Sequence, residues 1–136
     1  MNIENLSNQS LSLIKAAESI AADSFHQRLV PLHILYSFFK TEDHNIKDLL
    51  NKLDLNISRS KSDIHSVLFG LPRVNSEGQN KIYISAESRE LLNIAKKISD
   101  ENNDEFIVPL YLLLAMFYLE DDECKSILIK NNCDLN

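Results

Sequence analysis

An all-α fold made of two pseudo-symmetric copies of a four-helix motif, the second copy lacking its last helix, is what this sequence predicts. One register relates the two halves without a gap: Pro31 and Pro109 stand 78 residues apart, and the same offset pairs Ser7 with Ser85, Leu13 with Leu91, Ala17 with Ala95 and Ile20 with Ile98. It continues through Val30 and Val108, Leu35 and Leu113, Phe39 and Phe117, then Leu50 and Leu128. Only two glycines and three prolines punctuate 136 residues, too few for the many tight turns of a sheet protein. Between them, apolar residues recur at helical spacing.

The first helix is expected from about Ser7 to Asp23, with Leu13, Ala17, Ile20 and Ser24 as its buried stripe and Ser7 as its N-cap, the hydroxyl accepting from the first turn. Ser85 repeats that cap ahead of Leu91, Ala95 and Ile98. Pro31 and Pro109 suit the first position of the second helix, where the missing N–H has no intrahelical partner to lose. The residues after each proline are apolar nearly all round, so Leu32 to Phe39 and Leu110 to Leu119 are expected to form a central core pair. Amphipathic helices near Ile46 to Lys52, Ile57 to Phe69 and Cys124 to Asn131 pack around them. Gly70 to Lys81 holds both glycines and Pro72 and reads as a linker. One domain thus comprises repeat one at about 6–69, a linker at about 70–83 and repeat two at about 84–136. Ser58 has Asn136 as its mate, so copy two stops before its fourth helix and the chain reads as cut from a longer protein.

Composition excludes several classes of function. With 14 basic and 20 acidic residues and no block of five or more of either sign, the chain lacks the clustered cationic face that nucleic acid demands. Met1 to Ser10 has neither the basic start nor the apolar core of an export signal. The longest apolar run, Phe106 to Leu119, carries Pro109 and falls short of the roughly 18 to 20 residues that span a bilayer. No membrane partner is expected, and a reducing, cytoplasmic setting fits the two cysteines, Cys124 and Cys133, which stand opposite Ile46 and Leu55 and read as small buried hydrophobes. A phosphate cradle needs a glycine-rich turn ending in Gly-Lys-Ser/Thr, yet Gly70 precedes Leu71 and Gly78 precedes Gln79. Neither ATP nor magnesium is expected to bind this segment. The histidines His26, His33, His44 and His65 lack the spacing that gathers zinc ligands, and His33, whose mate is Tyr111, reads as a packed, hydrogen-bonded ring. No Gly-x-Ser-x-Gly elbow supports a hydrolase, although one sequence leaves a small helical hydrolase as an alternative.

Leu6-Ser7-Asn8, Val30-Pro31-Leu32-His33-Ile34-Leu35, Leu71-Pro72-Arg73-Val74 and Asp104-Glu105-Phe106-Ile107, in this order and spacing, resemble the Clp N-terminal repeat domain, most closely that of the B-type AAA+ disaggregases. The resemblance covers essentially the whole chain. It implies a non-catalytic domain attached to a hexameric ATP-driven ring, where it captures unfolded or aggregated polypeptide, and a longer protein that binds ATP and magnesium. A co-chaperone system is a further implied partner, and the segment alone is expected to be a monomer. The family links a hydroxyl at the start of the first helix and acids near the second copy's central helix to substrate handling; here Ser7 keeps the hydroxyl and Asp104 one acid. Leu110 stands where the other acid would be, so a charged contact is not expected there. Leu13, Leu92, Leu110 and Tyr111 are the apolar residues expected to line a substrate groove between the copies. The C-type unfoldases resemble the pattern too, but Leu32 and Leu110 replace the acids through which they read phosphorylated arginine. Adaptor-binding domains of other Clp-type unfoldases and of secretion-system ATPases remain the alternatives.

Overall fold

A computed structural model describes residues 5–74, 81–120 and 123–131. Its elements are α1 (Asn8–Asp23), β1 (Arg28–Leu29), α2 (Pro31–Lys40), α3 (His44–Lys52), α4 (Ile57–Phe69), β2 (Tyr83–Ile84), α5 (Ala86–Glu101), α6 (Pro109–Met116) and α7 (Glu123–Lys130). Moving the bounds of α1 along the chain by the repeat offset gives the bounds of α5, and α2 and α6 both open on their proline. The caps repeat as well. Ser7 Oγ accepts from Ser10 N–H at 3.1 Å, and Ser85 Oγ from Ser88 N–H at 3.0 Å.

The ends of α1 and α5 match in equal detail. Phe25 (φ 59°) and Asn103 (φ 58°) both take the left-handed conformation just past the helix. Around Phe25, its own N–H donates to Ala22 C=O and that of His26 to Ala21 C=O; around Asn103, the donors Asn103 and Asp104 reach Asp100 and Ser99. Both are Schellman stops that satisfy the last helical carbonyls. Asparagine adopts this backbone readily, whereas Phe25 holds it at a steric cost of roughly 1–2 kcal/mol.

Two short pairings, invisible to helical periodicity, sew the copies together. β1 runs parallel to β2, with Leu29 opposite Ile84, and Leu6 bridges Ile107 in the same sense. Leu6 and Ile84 are repeat mates, as are Leu29 and Ile107. Each copy therefore pairs the segment entering its first helix with the segment between the other copy's first two helices. Ser85 N–H donates to Leu29 C=O at 3.0 Å, and Ser7 N–H to Ile107 C=O at 3.1 Å. Because β2 takes Tyr83, the chain has left the expected linker before its boundary; residues 75–80, with Gly78, lie outside the described residues.

The core corrects two expectations. The buried stripe of α1 is Ser10, Leu13, Ile14, Ala17 and Ala21, so Ile20 and Ser24 lie at its edge. The central helices pack chiefly on their own first helices, α2 on α1 and α6 on α5, rather than as a pair. Helix α2 is buried nearly all round because α4 and α7 cover its remaining faces, while α6 leaves Leu110 and Leu114 half-buried and ends at Met116, before Leu119. Helix α7 belongs to copy two by sequence but docks on copy one. Asn56 N–H donates to Asn131 C=O, Asn131 Nδ2 to Asp63, and Lys130 pairs with Asp63 at 3.5 Å. Cys124 is fully buried in this helix, as its mate Ile46 is in α3; Cys133 and Asn136 lie outside the described residues.

Candidate functional site

The seam formed by residues 5–7 and 104–107 gathers part of the expected site. Ser7 is held against Ile107 by its backbone bond and spends its hydroxyl on the α1 cap and on Ser10 Oγ. Asp104 is exposed, its backbone fixed by the Schellman stop and by Ser99 Oγ, which donates to the carbonyls of Asp104 and Phe106. Tyr111, in the first turn of α6, donates its hydroxyl to Asp104 Oδ2. That bond, and then burial, raise the Tyr111 phenol above its ordinary pKa, because ionising it would set two negative charges side by side. Leu110 beside it is half-buried.

Leu92 and Tyr111 each keep only 9% of their surface exposed. Leu13 does not belong to the site. At 2% exposed it packs within the core, so a ligand could touch it only by prising the helices apart. Phe106 was not among the expected site residues, yet it is 46% exposed beside Asp104. Its sequence signal is the offset itself: Phe106 stands opposite Arg28, an apolar residue at a position that the other copy leaves to solvent.

The same offset places His26 opposite Asp104 and His33 opposite Tyr111. His26 Nδ1 and His33 Nε2 are 2.9 Å apart, and Val30 N–H donates to His33 Nδ1 at 3.0 Å. These contacts fix the tautomers. With Nδ1 accepting, neutral His33 carries its proton on Nε2 and donates to His26 Nδ1, which leaves the His26 proton on Nε2. That Nε2–H is buried and has no partner among the described residues. Burial, followed by the charge of His26, lowers the His33 pKa to about 4; burial and then Arg73 lower that of His26.

Among the described residues, no group of three or more His, Cys, Asp or Glu side chains could hold a metal ion, and no helix is long and apolar enough to cross a membrane.

Residues 5–131 match the family model of the Clp repeat (R) N-terminal domain. The chain is 33% identical over 118 residues to the chaperone protein ClpB of Rickettsia felis, covering 87% of this chain and 14% of that protein. It is 31% identical over 132 residues to the ClpB of Rickettsia conorii, covering 97% and 15%. It therefore spans about one seventh of the length of these curated relatives. Among solved structures, the Hsp104 N-terminal domain from Candida albicans superposes with a TM-score of 0.80 at 23% identity, over 96% of this chain and 84% of that one. The N-terminal domain of the ClpV1 ATPase from E. coli EAEC gives 0.78 at 18% identity, over 94% and 77%. At such identities the two structures speak for the fold.

Proposed function

Since the chain belongs to the Clp repeat N-terminal domain family, we propose that it is the non-catalytic capture domain of a B-type chaperone, holding unfolded or aggregated polypeptide at the seam between its two copies. In the longer protein it would pass such clients to a hexameric, ATP- and magnesium-dependent ring in the cytoplasm. The observation that carries this reading is the seam itself. It sets the exposed Phe106 and the half-buried Leu110 beside the polar edge of Ser7 and Asp104, so apolar surface is available without breaking either core. Tyr111 anchors this surface through its bond to Asp104, Leu92 lies in the core, and no charged contact is assigned to Leu110.

The surface is small and shallow, which favours weak capture with dissociation constants of roughly 10 μM to 1 mM once ordering costs are met. Such affinity suits a domain that must release what it catches. Chemical-shift titration with unfolded casein tests the reading. Shifts should cluster on residues 5–7 and 104–111, and Leu110→Ser or Phe106→Ser should weaken binding about fivefold, roughly the loss of one apolar side chain's contact. Shifts confined to surfaces away from the seam, or undiminished binding by both variants, would remove the proposal.

A further inference from the structure

The two copies part company most clearly at the far ends of their first helices. Copy one has Phe25, Arg28, Tyr36 and Lys40 where copy two has Asn103, Phe106, Leu114 and Tyr118. Two clefts meet there at His26. One, of about 250 Å³, is walled by Val30, Leu71, Pro72 and Val74 together with Arg28. The other, of about 140 Å³, lies among Ile20, Tyr36, Leu68 and Phe69 together with Arg73. Val74 N–H donates to Phe25 C=O at 2.8 Å, which pins the 71–74 segment beside the α1 stop.

Three independent features describe what this face is suited to hold. The clefts are chiefly apolar, and Phe69 is 57% exposed beside them. The face is positive within a chain of net charge −6: Arg73 lies 5.4 Å from the Phe69 ring centroid and Lys40 5.7 Å from that of Tyr36, and neither these two nor Arg28 form an ion pair among the described residues. His26, 4% exposed, lines both clefts with a buried Nε2–H that lacks an acceptor among the described residues. An unsatisfied buried donor calls for an oxygen, and the neighbouring cations call for a charged one.

We propose that this face of copy one binds an acidic polypeptide segment bearing an apolar side chain, the side chain filling the cleft of Val30, Leu71 and Pro72, and a carboxylate accepting from His26 Nε2–H beside Arg73. The site is separate from the seam of residues 5–7 and 104–107 and does not depend on client capture there. Three cations on an otherwise acidic chain are too few for a nucleic-acid backbone, whereas one or two carboxylates match them.

The test is fluorescence anisotropy with a labelled, end-blocked peptide in which one leucine and one phenylalanine are flanked by glutamates. Binding should weaken roughly tenfold in Arg73→Glu, and also on raising salt from about 50 to about 500 mM, because exposed charges are screened. Phe69→Ser should weaken it, Leu110→Ser should leave it unchanged, and a probe with lysines in place of the glutamates should not bind. Equal binding by Arg73→Glu, equal binding of the lysine probe, or loss of binding in Leu110→Ser each overturns the proposal. So does a salt-sensitive dimer in sedimentation without probe binding, which would make a second copy the occupant.

Discussion

In copy one, the residue that closes the first helix and the residue one turn into the second are both histidines; in copy two, the same positions hold an aspartate and a tyrosine. Each pair makes one side-chain hydrogen bond across the same loop, His33 to His26 and Tyr111 to Asp104. The backbone around them is alike down to the Schellman stops. One mechanical task, tying the helix stop to the next helix, is thus met by two chemistries with opposite weaknesses. The imidazole pair and the Val30 N–H bond that orients it hold together only while both rings are neutral, because a proton on His26 Nδ1 removes the acceptor of the pair and one on His33 Nδ1 removes the acceptor of Val30. Acid breaks this arrangement, while the phenol–carboxylate pair is broken by base.

The largest effect should come from His33. Its ring is fully buried, and His33→Ala would leave Val30 N–H and His26 unpaired beside a cavity, a loss of about 3 kcal/mol. Acid should do the same to the intact chain. Because the folded pKa of His33 lies below its ordinary 6.5, at about 4, the stability it contributes is complete above pH 6.5 and drains away as pH falls towards 4, some ~3 kcal/mol in all. His26 shifts in the same direction and adds to the loss, and Arg73, which faces it, makes a second positive charge there more costly still. Urea unfolding between pH 7 and pH 4 measures this. A decline as steep in His33→Ala as in the parent would show that the pair is not its source.

Copy two should fail at the other end of the scale. The raised Tyr111 pKa means that its contribution is present below the ordinary phenol value and lost as pH rises through the folded one. Tyr111→Phe should lower the urea midpoint less than His33→Ala, because the exposed Asp104 it abandons rehydrates. Ultraviolet titration should find one tyrosine ionising late in the parent and reverting in Asp104→Asn. If all tyrosines of the parent ionise together, the copies do not differ in the way described.

Much of this architecture was legible in the chain because repetition amplifies weak signals. A single serine before an apolar stripe is a modest cap, but Ser7 and Ser85 at the same offset as Pro31 and Pro109 fix the starts of four helices. The seam was not legible, since a two-residue pairing has no periodicity to detect. Nor was the fate of Leu13, whose helical spacing suits a groove or a core equally; only the packing of α1 on α2 decides for the core. The histidine pair was half-visible. The offset that matches His33 with Tyr111 also matches His26 with Asp104, and two potential hydrogen-bonding pairs at equivalent positions are the clue that one could have read.

The smallest contrast concerns the caps, and it asks whether the seam is energetically symmetric. Ser85 is 2% exposed; its hydroxyl bonds Ser88 Oγ at 3.1 Å, and Ser88 Oγ in turn donates to Leu29 C=O at 2.8 Å, across the seam into copy one. Ser7 makes the corresponding cap and the corresponding bond to Ser10 Oγ at 3.2 Å, but it is partly open to water. Water can replace part of what Ser7→Ala removes, and that variant should lose about 1 kcal/mol, the usual worth of an N-cap. Ser85→Ala has no such substitute and also frees a buried hydroxyl that is tied to the other copy, so its loss should approach about 2 kcal/mol. Urea midpoints of the two variants at neutral pH measure the difference directly. Equal losses would mean that the Ser88–Leu29 bond adds nothing, and that the β1–β2 pairing joins the copies through the backbone alone.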